Sequence, residues 1–183
     1  MKGLARYDEI ANFYDDAVGD DLSDPAAAAL LRLIPEVRER RVLDLACGQG
    51  RVSRELARRG AVVVGADISS ALLDLARTIE QATPLGITFV HADVTSSEAL
   101  LDDSFDGVVC HFGLSDIDDL AAAIKSVARL LRLGGWFVFS ILHPCFPGWC
   151  DDAPSSWPTG RGYFSEGWWL AENCFVQVGA ALA

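Results

Sequence analysis

Lysine is nearly missing from this sequence: none stands between Lys2 and Lys125. Basic charge as a whole is scarce, with 15 Lys and Arg against 26 Asp and Glu and a net charge of -11. A phosphate backbone demands a basic face, so this balance argues against nucleic acid as a partner. The one basic cluster, Arg51, Arg54, Arg58 and Arg59, falls mostly on one side of a short helical stretch and reads as a solvated face. No apolar run approaches the ~18 residues of a membrane span, so no membrane partner is expected. The opening MKGLARYDEIANFY lacks an uninterrupted apolar core and carries acids early, which is not how a secretory signal reads. Five cysteines follow no disulfide spacing, and a reducing cytoplasm is the expected location. His143, Cys145, Cys150 and Cys174 make a poor zinc set, because the C-x4-C gap is irregular and no second close pair exists. No metal is expected.

What is present is an alternation. A chain of 183 residues suits one domain able to bury a sizeable core. Asp24 and Pro25 open a helix that Pro35 closes. Strand-like 41–46 is followed by helix-like 51–59, ended by Gly60, and strand-like 61–66 by helix-like 70–80. GITFVHA (86–92) and FDGVVCHF (105–112) read as third and fourth strands, and WFVFSIL (136–142) as a fifth. The helix predicted over 119–132 carries Leu120, Ile124, Val127 and Leu131 on one stripe, with Gly134-Gly135 as its stop. The strands are almost wholly apolar, so both faces are covered, and their alternation with helices predicts a doubly wound, mainly parallel α/β sheet. This divides the chain into an N-terminal helical cap (1–40), a core (41–142) and an aromatic-rich tail (143–183).

In such a sheet, ligands bind at the carboxyl ends of the strands. The first strand runs into VLDLACGQGR, residues 42–51, with glycines at 48 and 50. A Walker loop is excluded because no lysine stands between Lys2 and Lys125. A dinucleotide fingerprint is nearer, with Ser53 in the third glycine's place. Asp44 speaks against it: a carboxylate four residues before Gly48 repels a pyrophosphate and attracts a cation.

VLDLACGQG resembles motif I of class I, Rossmann-like S-adenosylmethionine-dependent methyltransferases, with Ala46 where the first glycine is common. VVGADIS (63–69), FVHADVT (89–95), and FDGVVC followed by LLRLGGWFVFS resemble the later motifs, and YDEIANFYDD resembles the start of small-molecule members. The resemblance implies strand order 3-2-1-4-5 and S-adenosyl-L-methionine as cofactor, with S-adenosyl-L-homocysteine as product. It implies that Ala46, Cys47, Gly48 and Gly50 line the methionine part, with Asp44 near the ammonium and sulfonium. Asp67, next to Ile68, would take both ribose hydroxyls. Asp93 would take the adenine amino group, with Ala92 and Val94 flanking the ring. Arg51 pairs with the cofactor carboxylate or stays a surface arginine.

The implied chemistry is in-line methyl transfer to a small-molecule acceptor, in which the protein positions groups and excludes water. His111 and His143, ending the fourth and fifth strands, are the candidate bases, and His111 also lies beside the cofactor. His91 reads as structural. The tail holds Trp149, Trp157, Trp168 and Trp169, read either as an aromatic lid over the acceptor or as a satellite cluster. Family members carry seven strands, whereas only FVQVGA (175–180) remains as a sixth here, which predicts a C-terminally truncated fold. The fifth strand would then show an apolar edge needing cover from the tail strand, a homodimer or another partner. Two other readings stand beside methyl transfer: a cofactor-binding domain impaired in catalysis, and a nicotinamide-dependent oxidoreductase.

Overall fold

The computed structural model describes residues 5–96, Leu100 and 104–141. A 3-10 turn, Asp8–Ile10, leads into α1 (Ala11–Val18), and α2 spans Pro25–Leu33. Then follow β1 (Arg41–Leu45), α3 (Arg51–Arg58), β2 (Val62–Asp67), α4 (Ser70–Ala82) and β3 (Thr88–His91). β4 (Phe105–His111), a 3-10 turn Gly113–Asp116, α5 (Leu120–Leu130) and β5 (Leu131–Ser140) complete the described part. The helix starts are written locally. The carboxylates of Asp24 and Asp119 accept the backbone N–H of Ala27 and Ala122, and the Ser69 hydroxyl accepts that of Leu72.

All five strands pair in parallel in the order β3-β2-β1-β4-β5. In register, Leu43 lies beside Val64 and Val108, and Val42 beside Val63 and Gly107. Successive residues therefore serve opposite cores. On one face Leu43, Leu45, Val64 and Val108 pack with Ala123, Val127 and Leu130 of α5. On the other Val42, Val63 and Val109 pack with Leu30 of α2 and with Val52 and Leu56 of α3. Each such fully buried side chain contributes about 1.5–3 kcal/mol. This is the doubly wound sheet expected from the uninterrupted apolar strands.

Two local expectations are corrected. Helix α5 buries Ala123, Ser126, Val127 and Leu130, while Leu120 and Ile124 are exposed. Ala123 and Ser126 let the helix approach the sheet, while Val127 and Leu130 supply its apolar contact. The helix ends at Leu130, and Leu131 already pairs with Phe105 as the first residue of β5. Gly134-Gly135 is therefore no helix stop. It lies in an irregularity within β5, with Gly134 at φ +80, before pairing resumes at Trp136 beside Gly107.

Strand β5 ends the sheet among the described residues, and Phe139 and Ile141 are exposed there. No described helix is long and apolar enough to cross a membrane. His143, Cys145, Cys150, Cys174, the tail tryptophans and the strand expected at 175–180 lie outside the described residues.

Candidate functional site

The strand ends of β1, β2 and β4 converge on the glycine loop. Past Leu45 the chain turns sharply: Ala46 has φ +53, Gly48 +55 and Gly50 +86, and α3 starts at Arg51. The left-handed region costs an L-residue about 1–2 kcal/mol, so Ala46 is strained where glycine would not be. Its methyl is accommodated because residue 113 is glycine. A Cβ on Gly113 would stand 2.3 Å from the Cβ of Ala46.

Asp67, at the end of β2, braces this loop. Its Oδ2 accepts the Gly48 N–H at 2.8 Å and its Oδ1 accepts that of Ser69 at 2.8 Å. A carboxylate offers about four acceptor positions, so both oxygens retain acceptor capacity for a ligand diol. Burial pushes the Asp67 carboxyl above its usual range, against the pull of the Ser69, Gly48 and Ile68 backbone. Asp44 is 1% exposed and its Oδ2 accepts the Ser53 hydroxyl at 2.6 Å. Burial pushes its carboxyl up to about 7, with Ser53 opposing and Asp67 adding to the rise. A cation arriving here would favour the ionised form and be held by it.

Asp93 is committed to a turn: its Oδ1 accepts the N–H and hydroxyl of Thr95 at 2.9 and 2.7 Å. Ala92 and Val94 are buried in the core beside Leu45 and Ala66. The Ala92 N–H also donates to the Asp67 carbonyl at 2.9 Å, which joins the ends of β2 and β3. Ile68 is half-buried, and its carbonyl lies 2.8 Å from His91 Nε2, a structural tie between the same two ends. Cys47 is a buried free thiol, pushed up by its burial.

His111 closes β4. Its Nδ1 lies 2.7 Å from Ser140 Oγ, its ring packs against Phe112 at 4.3 Å, and its Nε2 is buried without a partner among the described residues. Burial, with Arg51 adding to it, pushes the imidazole down to about 4. At neutral pH it is uncharged.

The N-terminal segment covers the loop. Gln49 donates to the Gly19 carbonyl at 3.0 Å, and Arg51 to that of Asp21 at 2.8 Å, with Asp24 3.6 Å away. Arg54 donates to the Gln49 carbonyl at 2.6 Å and pairs with Asp20. Here the reading of a solvated arginine face is corrected: Arg54 is 3% exposed and Arg51 is turned inward. The acids of residues 20–24 supply their counter-charge. The Asp8 carboxylate accepts the Ser69 hydroxyl at 2.7 Å, and Tyr7 donates to Asp116 at 2.9 Å. Tyr7 and Tyr14 meet edge to face at 5.1 Å, and Tyr14 lies against Gly48.

A family model described as a methyltransferase domain matches residues 43–139, just over half of the chain, spanning every strand end described above. The chain belongs to this methyltransferase family. A ubiquinone biosynthesis O-methyltransferase of Alkalilimnicola ehrlichii is 31% identical over 147 residues, 76% of this chain and 59% of that protein. A demethylmenaquinone methyltransferase of Clavibacter sepedonicus is 37% identical over 139 residues, 73% of this chain and 55% of that protein. The chain thus spans under three fifths of the length of these curated relatives. An S-adenosylmethionine-dependent methyltransferase structure from Mesorhizobium loti superposes with a TM-score of 0.62 at 37% identity, covering 68% of this chain and 57% of that one. Phosphoethanolamine N-methyltransferase 2 of Haemonchus contortus, solved with S-adenosyl-L-methionine, gives 0.64 at 25% identity, covering 73% and 33%.

In this methyltransferase domain the sequence reading missed Ser140, Gln49 and the bond from Ser53 to Asp44. Ser140 had a signal: parallel pairing of two strands ending in His and Ser sets these side chains next to each other. Arg51 and Arg54 had one too, in the acidic run of residues 15–24 waiting for cations.

Proposed function

We propose that this domain binds S-adenosyl-L-methionine and transfers its methyl group to a small-molecule acceptor, releasing S-adenosyl-L-homocysteine. The observation that carries this reading is the Asp67 carboxylate, held at the end of β2 by Gly48 and Ser69 with acceptor capacity remaining on each oxygen. That arrangement suits a vicinal diol. Asp44, buried beneath a loop with no lysine, suits a cation. The donor set therefore fits the cofactor, which when bound supplies a methyl already activated on a sulfonium.

Each residue has a task toward it. Gly48 and Gly50 bring backbone close to the methionine part, with Ala46 and Cys47 shaping the turn. Asp67 takes the ribose hydroxyls beside Ile68, and Asp93 the adenine amino group, on a turn fixed by Thr95. Ala92 and Val94 shape that turn from the core side, and Tyr14 excludes water above Gly48. Arg51 organises the covering segment, and its neighbour His111 faces the acceptor. His143 is retained as a second acceptor-side histidine. The acidic balance favours small molecules over nucleic acid, and the relatives named for quinone biosynthesis point toward an aromatic acceptor. We further assign the domain to the cytoplasm, on its buried free thiols, and a homodimer or other partner to the β5 edge, on its exposed Phe139 and Ile141.

Calorimetry with S-adenosyl-L-methionine, S-adenosyl-L-homocysteine and NAD tests the reading. Micromolar binding of the first two and none of NAD is expected. Binding of NAD alone overturns it in favour of an oxidoreductase. Binding without turnover across an acceptor panel leaves a cofactor-binding domain.

A further inference from the structure

We propose that Ser140 holds His111 as its neutral Nε2–H tautomer, and that this N–H serves as a hydrogen-bond donor to an oxygen of the methyl acceptor. The inference rests on the methyl-transfer reading above and narrows its substrate class to acidic hydroxyls, phenols or enols.

The serine hydroxyl sets the tautomer. The Phe112 N–H is shared between two acceptors on residue 140, the carbonyl at 3.0 Å and Oγ at 3.2 Å. The hydroxyl thus accepts from the backbone and has its own proton to place. Among the described residues the acceptor within reach is His111 Nδ1, at 2.7 Å. A ring nitrogen that accepts carries a lone pair, so the single proton of neutral imidazole lies on Nε2. Nε2 is buried and has no partner among the described residues. Buried N–H groups are seldom left unpaired, and an exception calls for a ligand.

The surroundings keep the ring neutral. Desolvation and the Arg51 guanidinium from α3 both oppose the imidazolium, with Asp24 at the start of α2 acting weakly the other way. An imidazole titrating near 4 makes a poor base at neutral pH. As a neutral donor it instead favours an oxyanion. The acceptor then enters as its anion, its proton having passed to bulk water. One oxygen lone pair takes the Nε2–H, and another forms the new O–CH3 bond as the S–CH3 bond breaks and its electron pair stays on sulfur. A protonated amine would present N–H to N–H and is disfavoured.

The full chain with 15N-labelled imidazoles reads the tautomer directly. Only three histidines are present, and the His111 signals are assigned by their loss in His111→Gln. The expected result is an Nε2–H tautomer from pH 5.5 to 8 in the wild type, with mixed tautomers in Ser140→Ala. An Nδ1–H form or an imidazolium at pH 7 overturns the proposal. The donor role is read with S-adenosyl-L-homocysteine bound and 4-nitrocatechol as probe, whose colour reports its ionisation. Bound probe should ionise at lower pH than free probe. Gln, which keeps a donor near Nε2 but no base, should retain this shift, while His111→Ala should lose it and bind about tenfold more weakly. No probe binding to the wild type, or an unchanged shift in the Ala variant, overturns the donor role. Failure to bind S-adenosyl-L-homocysteine would instead sink the methyl-transfer reading, and the tautomer measurement stands apart from it.

Discussion

Two buried aspartates on neighbouring strands lead opposite lives. Asp106, near the amino end of β4, is met by the Arg41 N–H at 2.7 Å, by Arg40 at 3.5 Å and by Arg132. Asp44, near the carboxyl end of the adjacent β1, is more deeply buried and is met by the hydroxyl of Ser53. The protein supplies cations where a carboxylate holds strands and loops together. It gives the other a hydroxyl in contact and only the more distant Arg54 as counter-charge, where the resemblance expects a cationic ligand. The same contrast runs through the backbone. Ala46 and Phe112 adopt left-handed conformations at the carboxyl ends of β1 and β4, and the buried imidazole nitrogen without a partner lies beside them. Strain and unmet polarity also occur at Glu39 and Glu80, but at the candidate site the two stand together, a pattern expected of functional sites.

The contrast can be broken at several points. The largest effect is expected at Asp67, which serves both the loop and the ligand. Asp67→Asn should weaken S-adenosyl-L-methionine and S-adenosyl-L-homocysteine alike by about 100-fold, ~3 kcal/mol, as measured by calorimetry. At the other end Asp106→Asn should leave affinity unchanged and cost about 2 kcal/mol in urea unfolding. That is less than a fully buried pair, because both arginines stay half exposed.

Asp44→Asn should do the opposite of Asp106→Asn. The Asp44 carboxyl titrates at about 7 in the fold, against an ordinary 3.8. Protonation therefore favours the fold fully below about pH 4, and that contribution is lost as the pH rises through 7. The Asn variant escapes the loss, so it should be more stable than the wild type by about 2 kcal/mol at pH 8, with no gain at pH 4, while binding cofactor less tightly. Equal effects at both pH values would remove the distinction between the two ends. The smallest effect concerns the strained turn. Gly113→Ala should cost about 1 kcal/mol by collision with the Ala46 methyl, and adding Ala46→Gly should recover most of it in a double-mutant cycle.

Much of this was legible without coordinates, for physical reasons that differ by residue. Apolar runs such as residues 61–66 and 107–110 reveal strands covered on both faces, because alternation is absent. Asp24, Ser69 and Asp119 cap helices through bonds only three residues long. The three acids at the strand ends stand in order because chain direction alone puts them on one edge of a parallel sheet. The buried stripe of α5 was misjudged because packing against the sheet sets the phase of the helix, which turns Ala123 and Leu130 inward in place of Leu120 and Ile124. The direction of Arg51 and Arg54 was misjudged because their partners lie some 30 residues away.

By itself, then, the sequence determined the alternation, the parallel sheet and the carboxyl-edge placement of Asp44, Asp67 and Asp93, since these follow from local periodicity and connection. Only the tertiary structure decided the charge of Asp44, the inward turn of the arginines and the pairing of Ser140 with His111. Those depend on desolvation and on contacts between distant segments, which no local pattern records.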